Sequence, residues 1–270
     1  MKMKANGVKA YSILEKVRNK RPIIHHLTNW VTIYDCANVV KVLGASPVMA
    51  HAPEEVAEMA GIASALVLNI GTLTPDFVES MKLAAKAANK KGIPIVLDVC
   101  GCGATGLRDK KTRELLDEVR IDIIKGNASE IARVGGLAAT TKGVDAGEVK
   151  GDLTVLARRI AQERSCTVVI TGKEDIVTDG KKICVVKNGD AMMASIVGTG
   201  CMASSVIGTF AAIEKDFAYA AAAGLACFEI AAEIAAATSN GPGTFKEKLF
   251  DELFHLNKMI VEKRQRIYFI

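Results

Sequence analysis

The residues that most clearly suggest chemistry are Gly198-Thr199-Gly200-Cys201, which open an apolar stretch with helical spacing. Glycine permits a tight turn with positive φ, and without a side chain it lets a ligand approach the backbone closely. The first amides of a helix have no partners within the helix, and the helix dipole adds partial positive charge there. The turn therefore predicts an anion-binding site, with Cys201 at its edge, where a thiolate forms more easily.

Polar residues elsewhere distinguish this interpretation from a simple glycine turn ahead of a core helix. Four apolar runs of strand length end in a polar residue, in several cases next to a glycine. These endings are Asn69, Asp98, Lys125-Gly126-Asn127 and Thr171-Gly172. In parallel sheets, ligands bind beyond the carboxyl ends of the strands. The four endings and the glycine turn together predict a phosphate-handling site.

Phosphoryl transfer needs positioned oxygens, a metal, and cationic or amide donors. Asp98 at a strand end and Glu130 at a helix start are suited to hold Mg²⁺, directly or through water. Each also has a structural explanation, since aspartate caps turns and an acid in the first helical turn interacts well with the dipole. Lys125, Asn127 and Thr171 are the candidates for contacts with the nucleotide.

These residues need a sheet that brings the strand ends to one edge, and the pattern of the chain predicts one. Apolar runs of strand length alternate with longer helical patterns. The predicted strands cover residues 22–25, 47–50, 65–71, 94–98, 122–127 and 167–172, followed by a hairpin of 175–178 and 183–187. The alternation predicts an α/β fold, with a mostly parallel sheet and helices on both faces. No Pro/Ser-rich linker divides residues 1–270, which predicts a single domain.

Composition excludes several classes of protein. The net charge is +5, and the 35 basic residues are scattered among 30 acidic ones without a nucleic-acid motif, so we expect no nucleic-acid partner. Seven irregularly spaced cysteines argue against a secreted disulfide scaffold. The Ala-rich segment 217–237 contains Glu229 and Glu233, which are costly in lipid. We therefore expect no membrane span and a cytoplasmic location.

Six motifs, in this order, resemble those of hydroxyethylthiazole kinases, and the likeness extends from about residue 11 to residue 260. They are His25-His26-Leu27-Thr28-Asn29-Trp30-Val31-Thr32, Cys36-Ala37-Asn38, Gly44-Ala45-Ser46-Pro47-Val48-Met49, Lys125-Gly126-Asn127-Ala128-Ser129-Glu130, Thr171-Gly172 and Gly198-Thr199-Gly200-Cys201-Met202. The resemblance implies a ribokinase-like three-layer fold. It also implies phosphorylation of the alcohol of 4-methyl-5-(2-hydroxyethyl)thiazole by ATP and Mg²⁺, in thiamine biosynthesis or salvage. Members of this family are homotrimers with the thiazole pocket at a subunit interface.

The same resemblance implies roles for individual residues. Met49 and Gly198 would contact the thiazole, and Lys125 and Thr171 would contact ATP. Asp98 and Glu130 would contact the metal. Cys201 would occupy the position at which related sugar and vitamin kinases have a catalytic aspartate. The residues themselves suggest that Asn29 orients the substrate or the backbone. The turn Gly198-Thr199-Gly200, with Cys201, is the predicted catalytic element. We expect its amides to supply most of the rate and Cys201 to assist.

Other functions remain open on the sequence. A hydroxymethylpyrimidine or pyridoxal kinase, or an ADP-dependent dehydratase of damaged nicotinamide nucleotides, would share the fold. Cys201 and the block at 25–32 argue against each of them. A non-catalytic nucleotide-binding protein would not need the carboxylates Asp98 and Glu130.

One departure from the family pattern lies beside the predicted metal site. After Asp98 the family usually has Pro-Val-Gly, whereas this chain has Val99-Cys100-Gly101. Proline would fix the backbone there. We expect Cys100 and Cys102 to be packed thiols, because no second Cys/His pair with zinc spacing accompanies them.

Overall fold

Short apolar runs form the strands of a central sheet, as their composition predicts. The computed structural model describes residues 4–5, 9–137 and 152–270. Within these ranges the strands are β1 Lys4–Ala5, β2 Ile23–Leu27, β3 Ser46–Val48, β4 Ala65–Asn69, β5 Ile95–Asp98, β6 Ile123–Asn127, β7 Thr167–Thr171, β8 Asp175–Thr178, β9 Ile183–Val186 and β10 Ile267–Phe269. They form a ten-stranded sheet in the order β1-β10-β9-β8-β7-β6-β5-β4-β2-β3.

The sheet is parallel where the predicted site lies and antiparallel at the other end. The six strands from β3 to β7 in the sheet order are parallel neighbours. Beyond β7, each strand pairs antiparallel with the next one in the sheet order β7, β8, β9, β10 and β1. The register sets Asn69 opposite Asp98, Asp98 opposite Lys125, and Asn127 opposite Thr171. The polar strand ends therefore lie side by side at one edge.

Helices cover both faces of the sheet, because strand side chains alternate between the faces. The helices in the described ranges are α1 Ala10–Lys20, α2 Ile33–Val42, α3 Val56–Ile62, α4 Pro75–Lys91, α5 Gly106–Glu118, α6 Ala128–Val134, α7 Leu153–Arg164, α8 Thr199–Ala211, α9 Phe217–Thr238, α10 Pro242–His255 and α11 Lys258–Arg264. Val67 packs into the core beneath α8 and α9, whereas its neighbours Leu66 and Leu68 pack beneath α3 and α4. The predicted α/β fold with a mostly parallel sheet is confirmed.

Helix α9 is long and apolar enough to cross a membrane by length and composition. Its apolar window is, however, 78% buried within the protein. It packs against α1, α8 and α10, and Glu229 on it is buried. Its packing is that of a core helix, as the two glutamates predict.

Helices α5 and α7 were not predicted from the sequence pattern. Both begin at capping side chains, since Thr105 accepts from the amide of Arg108 and Asp152 from the amides of Thr154 and Val155. Helix α5 buries only Thr112 and Leu115, so its apolar periodicity is weak. Capping residues identify such helices better than hydrophobic spacing does.

Candidate active site

Two adjoining cavities open at the carboxyl ends of the parallel strands. The smaller has a volume of about 450 Å³ and the larger about 810 Å³. They share Thr171, Ala194, Thr199 and Gly200. The predicted residues that line the smaller cavity are Asn29, Asp98, Lys125, Asn127, Glu130, Thr171, Gly198, Thr199, Gly200 and Cys201. The structure therefore brings together every predicted site residue except Met49.

The glycine turn has the geometry of an open helix N-terminus. Gly198 has φ of 101°, and a Cβ there would lie 2.6 Å from Cγ2 of Thr32, so this position requires glycine. The first helical hydrogen bond joins the amide of Met202 to the carbonyl of Gly198 at 2.8 Å. Among the described residues, none accepts a hydrogen bond from the three amides of residues 199–201. These amides are therefore available to an anion.

Gly200 differs from Gly198, because its backbone is helical rather than left-handed. A Cβ at Gly200 would come nearest to Nζ of Lys125, at 3.2 Å. A larger side chain there would project toward Lys125 and the cavity rather than strain the turn. The positive φ that the sequence suggested for the turn belongs to Gly198.

Asp98 is the centre of a buried polar cluster beneath α8. Its Oδ2 accepts from Oγ of Ser204 at 2.7 Å, Nδ2 of Asn69 at 3.0 Å and Nζ of Lys125 at 3.3 Å. Its Oδ1 is buried and has no donor in the described part of the chain. A free, buried carboxylate oxygen at the edge of a cavity suits a hard cation.

Lys125 joins this cluster to the glycine turn. It is buried, and its Nζ donates to the carbonyl of Gly200 at 3.0 Å. Burial opposes its charge, but the carboxylates of Asp98 and Glu130 raise the pKa of Lys125 above its ordinary value. Lys125 is therefore a fixed cation at the start of α8, rather than the solvated lysine that a strand end often has.

Glu130 holds the loops around the site. Its Oε1 accepts from the amide of Gly101 and its Oε2 from the amide of Asn127, each at 2.7 Å. Asn127 in turn caps α6 by accepting from the amide of Glu130 at 3.0 Å. Burial, and next the charge of Asp98, raise the pKa of Glu130. Both oxygens are thus engaged by the backbone, so a metal contact through water suits Glu130 better than a direct one.

Cys201 lies at the floor of the smaller cavity and is nearly buried. Its sulfur accepts from Nδ2 of Asn29 and Nδ2 of Asn69, each at 3.2 Å. A hydrogen bond from the Cys100 thiol lowers the pKa of Cys201 to about 7, with help from the charge of Lys125 and against burial and the charge of Asp98. The environment therefore favours a thiolate.

Met49 lies apart from the other predicted residues. It follows the edge strand β3, is partly buried, and lines neither of the two cavities. His51, two residues after Met49, belongs to an aromatic cluster with Trp30 and Phe77, whose ring centroids lie 4.8 to 5.5 Å apart. Within a single chain, this position therefore gives Met49 no contact with either cavity.

Sequence reasoning missed several residues that shape the site. Cys100 was expected to be a packed thiol, but it lines the smaller cavity and lowers the pKa of Cys201. Ser204 follows Cys201 on α8, and its polar side chain on an apolar helix was an available signal. Arg108 donates to the carbonyls of Ile70 at 2.7 Å and Cys100 at 2.9 Å, so it ties together the loops that follow β4 and β5.

A family model described as "HK: Hydroxyethylthiazole kinase family" matches residues 14–259 of the chain. The chain belongs to the hydroxyethylthiazole kinase family. A hydroxyethylthiazole kinase of Methanosarcina mazei is 53% identical over 254 residues, covering 94% of this chain and 97% of that one. One from Chloroflexus aurantiacus is 48% identical over 243 residues, covering 90% of each chain.

The fold agrees with the family assignment. The structure of a hydroxyethylthiazole kinase protein from Pyrococcus horikoshii matches with a TM-score of 0.89 and 36% identity, over 97% of this chain and 98% of that one. A ribokinase-like superfamily protein from Enterococcus faecalis matches with a TM-score of 0.63 at 13% identity, over 90% and 93% of the two chains. The second match shows the fold alone, and with the first it confirms the ribokinase-like prediction.

Proposed function

We propose that this chain transfers the γ-phosphoryl group of ATP to the alcohol of 4-methyl-5-(2-hydroxyethyl)thiazole, in thiamine biosynthesis or salvage. As a member of a kinase family, it uses ATP as its co-substrate. The observation that supports the proposal most strongly is the junction of the two cavities. There, free amides, a buried cation and a thiol with a lowered pKa surround one point.

The sizes of the cavities suggest how the two substrates divide them. The larger, about 810 Å³, suits a nucleoside triphosphate, and the smaller, about 450 Å³, suits a small heteroaromatic alcohol. Their shared residues Thr171, Thr199 and Gly200 then face the phosphoryl group in transfer. Thr171 lines both cavities and contacts the nucleotide in this arrangement, whereas Asn127 lines the smaller cavity and meets only phosphates that extend into it. Lys125 holds the start of α8 against Asp98 while its charge faces the phosphates.

The amides of residues 199–201 provide the main stabilisation of the transferring group. Donors that are already oriented cost no reorganisation when negative charge develops. Asp98 offers its free Oδ1 to Mg²⁺, and Glu130 is suited to a metal-bound water. When bound, Mg²⁺ neutralises charge on the phosphate oxygens. Cys201 receives the proton of the alcohol on its sulfur.

An exposed apolar face beside the smaller cavity supports a homotrimer. The exposed fractions are 54% for Trp30, 68% for Val31, 77% for Tyr34 and 73% for Val197. Val31 and Val197 also line the smaller cavity. We propose that a neighbouring subunit covers this face and closes the thiazole pocket, to which Gly198 and Asn29 of one subunit and Met49 of the partner subunit contribute.

The proposal extends to the whole chain and its location. Within the described residues, one hydrogen-bonded sheet joins all of the strands, which supports a single domain over residues 1–270. All seven cysteines are free thiols, which suits a reducing compartment, and we propose the cytoplasm.

A coupled ADP-release assay tests the function directly. The purified protein is given ATP and Mg²⁺ with the thiazole alcohol, with hydroxymethylpyrimidine or with pyridoxal. We expect turnover on the thiazole alcohol far above that on the other two. Turnover only on the pyrimidine or pyridoxal would contradict the substrate assignment. ADP release with none of them would contradict the kinase assignment.

A further inference from the structure

Two asparagine amides converge on the sulfur of Cys201. Nδ2 of Asn29 and Nδ2 of Asn69 each lie 3.2 Å from it, and both side chains are buried. Asn29 comes from the segment between β2 and α2, and Asn69 ends β4. The two donors therefore reach the sulfur from different elements, and each must be held there by something else.

The orientation of the Asn29 amide is fixed by backbone donors. Its Oδ1 accepts from the amides of Val31 and Thr32, each at 3.1 Å. A flipped amide would set its NH₂ group against these two N–H groups, which would leave buried donors unpaired. The Nδ2 group must consequently face the other way, toward Cys201 and Oδ1 of Asn69, which is 3.0 Å distant.

Asn69 is fixed in the same manner. Its Oδ1 accepts from the amide of Gly71 at 2.8 Å as well as from Asn29. Its Nδ2 then has two acceptors, Oδ2 of Asp98 at 3.0 Å and the sulfur of Cys201. Each of the two amides thus has all of its other hydrogen-bonding positions occupied by the protein, and one N–H remains for the sulfur.

A neutral thiol is a weak acceptor, whereas a thiolate accepts strongly. We propose that Asn29 and Asn69 are positioning residues that hold the sulfur of Cys201 as a thiolate directed at the alcohol of the substrate. The catalytic consequence rests on the proposed function. The state of the sulfur does not depend on that function.

The charged and titratable groups around the sulfur agree with this assignment. Hydrogen bonding from Cys100 and the charge of Lys125 lower the pKa of Cys201, and the charge of Asp98 opposes them. Burial raises the pKa of Cys36, also close to the sulfur, to about 12. The pKa of Cys100 is raised as well. Of these three thiols, Cys201 is the one whose sulfur accepts from two side-chain amides among the described residues.

The state of the sulfur can be measured without turnover. The protein is alkylated with iodoacetamide between pH 5 and 10, without ATP or Mg²⁺, and modification of the Cys201 peptide is followed by mass spectrometry. We expect a midpoint near pH 7 in the wild type. A wild-type midpoint at the ordinary thiol value of about 8.5 or above would overturn the proposal, whatever the variants do.

The variants Asn29→Asp and Asn69→Ala each remove one donor. Asn29→Asp keeps the oxygen that accepts from the amides of Val31 and Thr32, and it replaces the amide nitrogen with a carboxylate oxygen. We expect a midpoint about one pH unit higher, which lowers the thiolate fraction at pH 7 about fivefold, from one half to one tenth. The matched control is Asn89→Asp, which makes the same change at a distant amide that bonds Arg120. Wild-type midpoints in both folded variants would overturn the proposal.

Kinetics then separate this inference from the proposed function. With the thiazole alcohol, Asn29→Asp should lower kcat at pH 7 about fivefold, leave the KM for ATP unchanged, and regain rate toward pH 9. A loss of rate independent of pH would indicate a merely structural effect and contradict the proposal. Absence of ADP release from the wild type, together with an alkylation midpoint near 7, would instead contradict the kinase assignment and leave the thiolate assignment standing.

Discussion

A cysteine in the position of a catalytic base is useful only if its surroundings ionise it. A free thiol has a pKa of about 8.5, against about 3.9 for aspartic acid, so at neutral pH an ordinary cysteine has few thiolates. Cys201 has a pKa of about 7 in this site, which makes roughly half of it a thiolate at neutral pH. In the proposed reaction, the strength of Cys201 as a base therefore depends on its neighbours.

Replacing the base should reduce activity without abolishing it. In Cys201→Ala the amides of residues 199–201 and the Asp98–Lys125 pair remain, so we expect kcat to fall by about 100-fold. Cys201→Asp should match or exceed the wild type, and its advantage should grow below pH 7 because the carboxylate stays ionised. The measurement is the pH profile of kcat for the three proteins. Complete inactivity of a folded Cys201→Ala would reject the dominant role of the amides.

The unusual Cys100 should set the pH dependence of the enzyme. Its thiol is the largest influence that lowers the pKa of Cys201. In Cys100→Val, the residue usual in the family, this hydrogen bond is lost and the pKa of Cys201 should rise. The thiolate is the form present above its pKa, so the rise in kcat/KM with pH should shift upward, by about one unit. An unshifted profile would show that Cys100 only fills space.

At the scale of elements, α8 is the helix that joins the site to the core. Its first turn forms the proposed anion site, and further along Gly208 lies against β4. A Cβ at Gly208 would come within 2.4 Å of Cγ2 of Val67. The helix can approach the sheet this closely only because glycine has no side chain there.

Gly208→Ala should therefore destabilise the protein, although alanine favours helices. Overpacking of a close contact with a branched core side chain costs about 1–3 kcal/mol. The control is Gly61→Ala in α3, where nothing lies within 4 Å of the added Cβ. This change should stabilise the protein by about 0.5–1 kcal/mol. Urea unfolding of both variants measures the difference, and equal stabilities would contradict the packing argument.

The fold and most of the site could be predicted because local sequence determines them. Apolar runs give the strands, and a parallel sheet necessarily brings their polar ends together. The contacts that define Cys201 could not be predicted, because Asn29 lies 172 residues away in sequence and its amide direction depends on the backbone amides of Val31 and Thr32. The role of Cys100 could not be predicted either, because the sequence does not indicate which side chain its thiol faces.

At the scale of the whole molecule, buried histidines make the fold sensitive to acid. His26 is fully buried and bonds to Oγ of Ser205 and the carbonyl of Ile24. Burial lowers its pKa to about 3. An unfolded histidine titrates near 6.5. Protons therefore bind the unfolded chain first as the pH falls, and stability is lost below about pH 6.5.

The variant His26→Gln should remove this part of the acid sensitivity. Between pH 7 and pH 5 the wild type should lose about 2 kcal/mol more of its free energy of unfolding than the variant does. Burial also lowers the pKa of His25 and His51, but both remain in the variant and cancel in the comparison. The test is chemical denaturation at the two pH values. Parallel losses in the two proteins would show that His26 is not buried in its neutral form.

Assembly is the property that most directly links the exposed surface to activity. Tyr34 lies on α2, is 77% exposed, and lines neither cavity, so it contacts substrate in no step of the proposed reaction. In the proposed trimer, burial of an unpaired carboxylate at each of three equivalent interfaces is costly. Tyr34→Asp should therefore give a monomer in light scattering, together with a fall in kcat/KM for the thiazole alcohol of about tenfold or more.

The matched control for this change is Val155→Asp, on the outer helix α7 and 64% exposed. It introduces the same charge at a surface distant from the site and should leave both the trimer and kcat/KM unchanged. A Tyr34→Asp protein that remains trimeric would place the interface elsewhere. A monomer with full activity would show that one subunit closes its own thiazole pocket. A pocket shared between subunits requires that Tyr34→Asp lose both its assembly and its kcat/KM for the thiazole alcohol. The KM for ATP should stay unchanged.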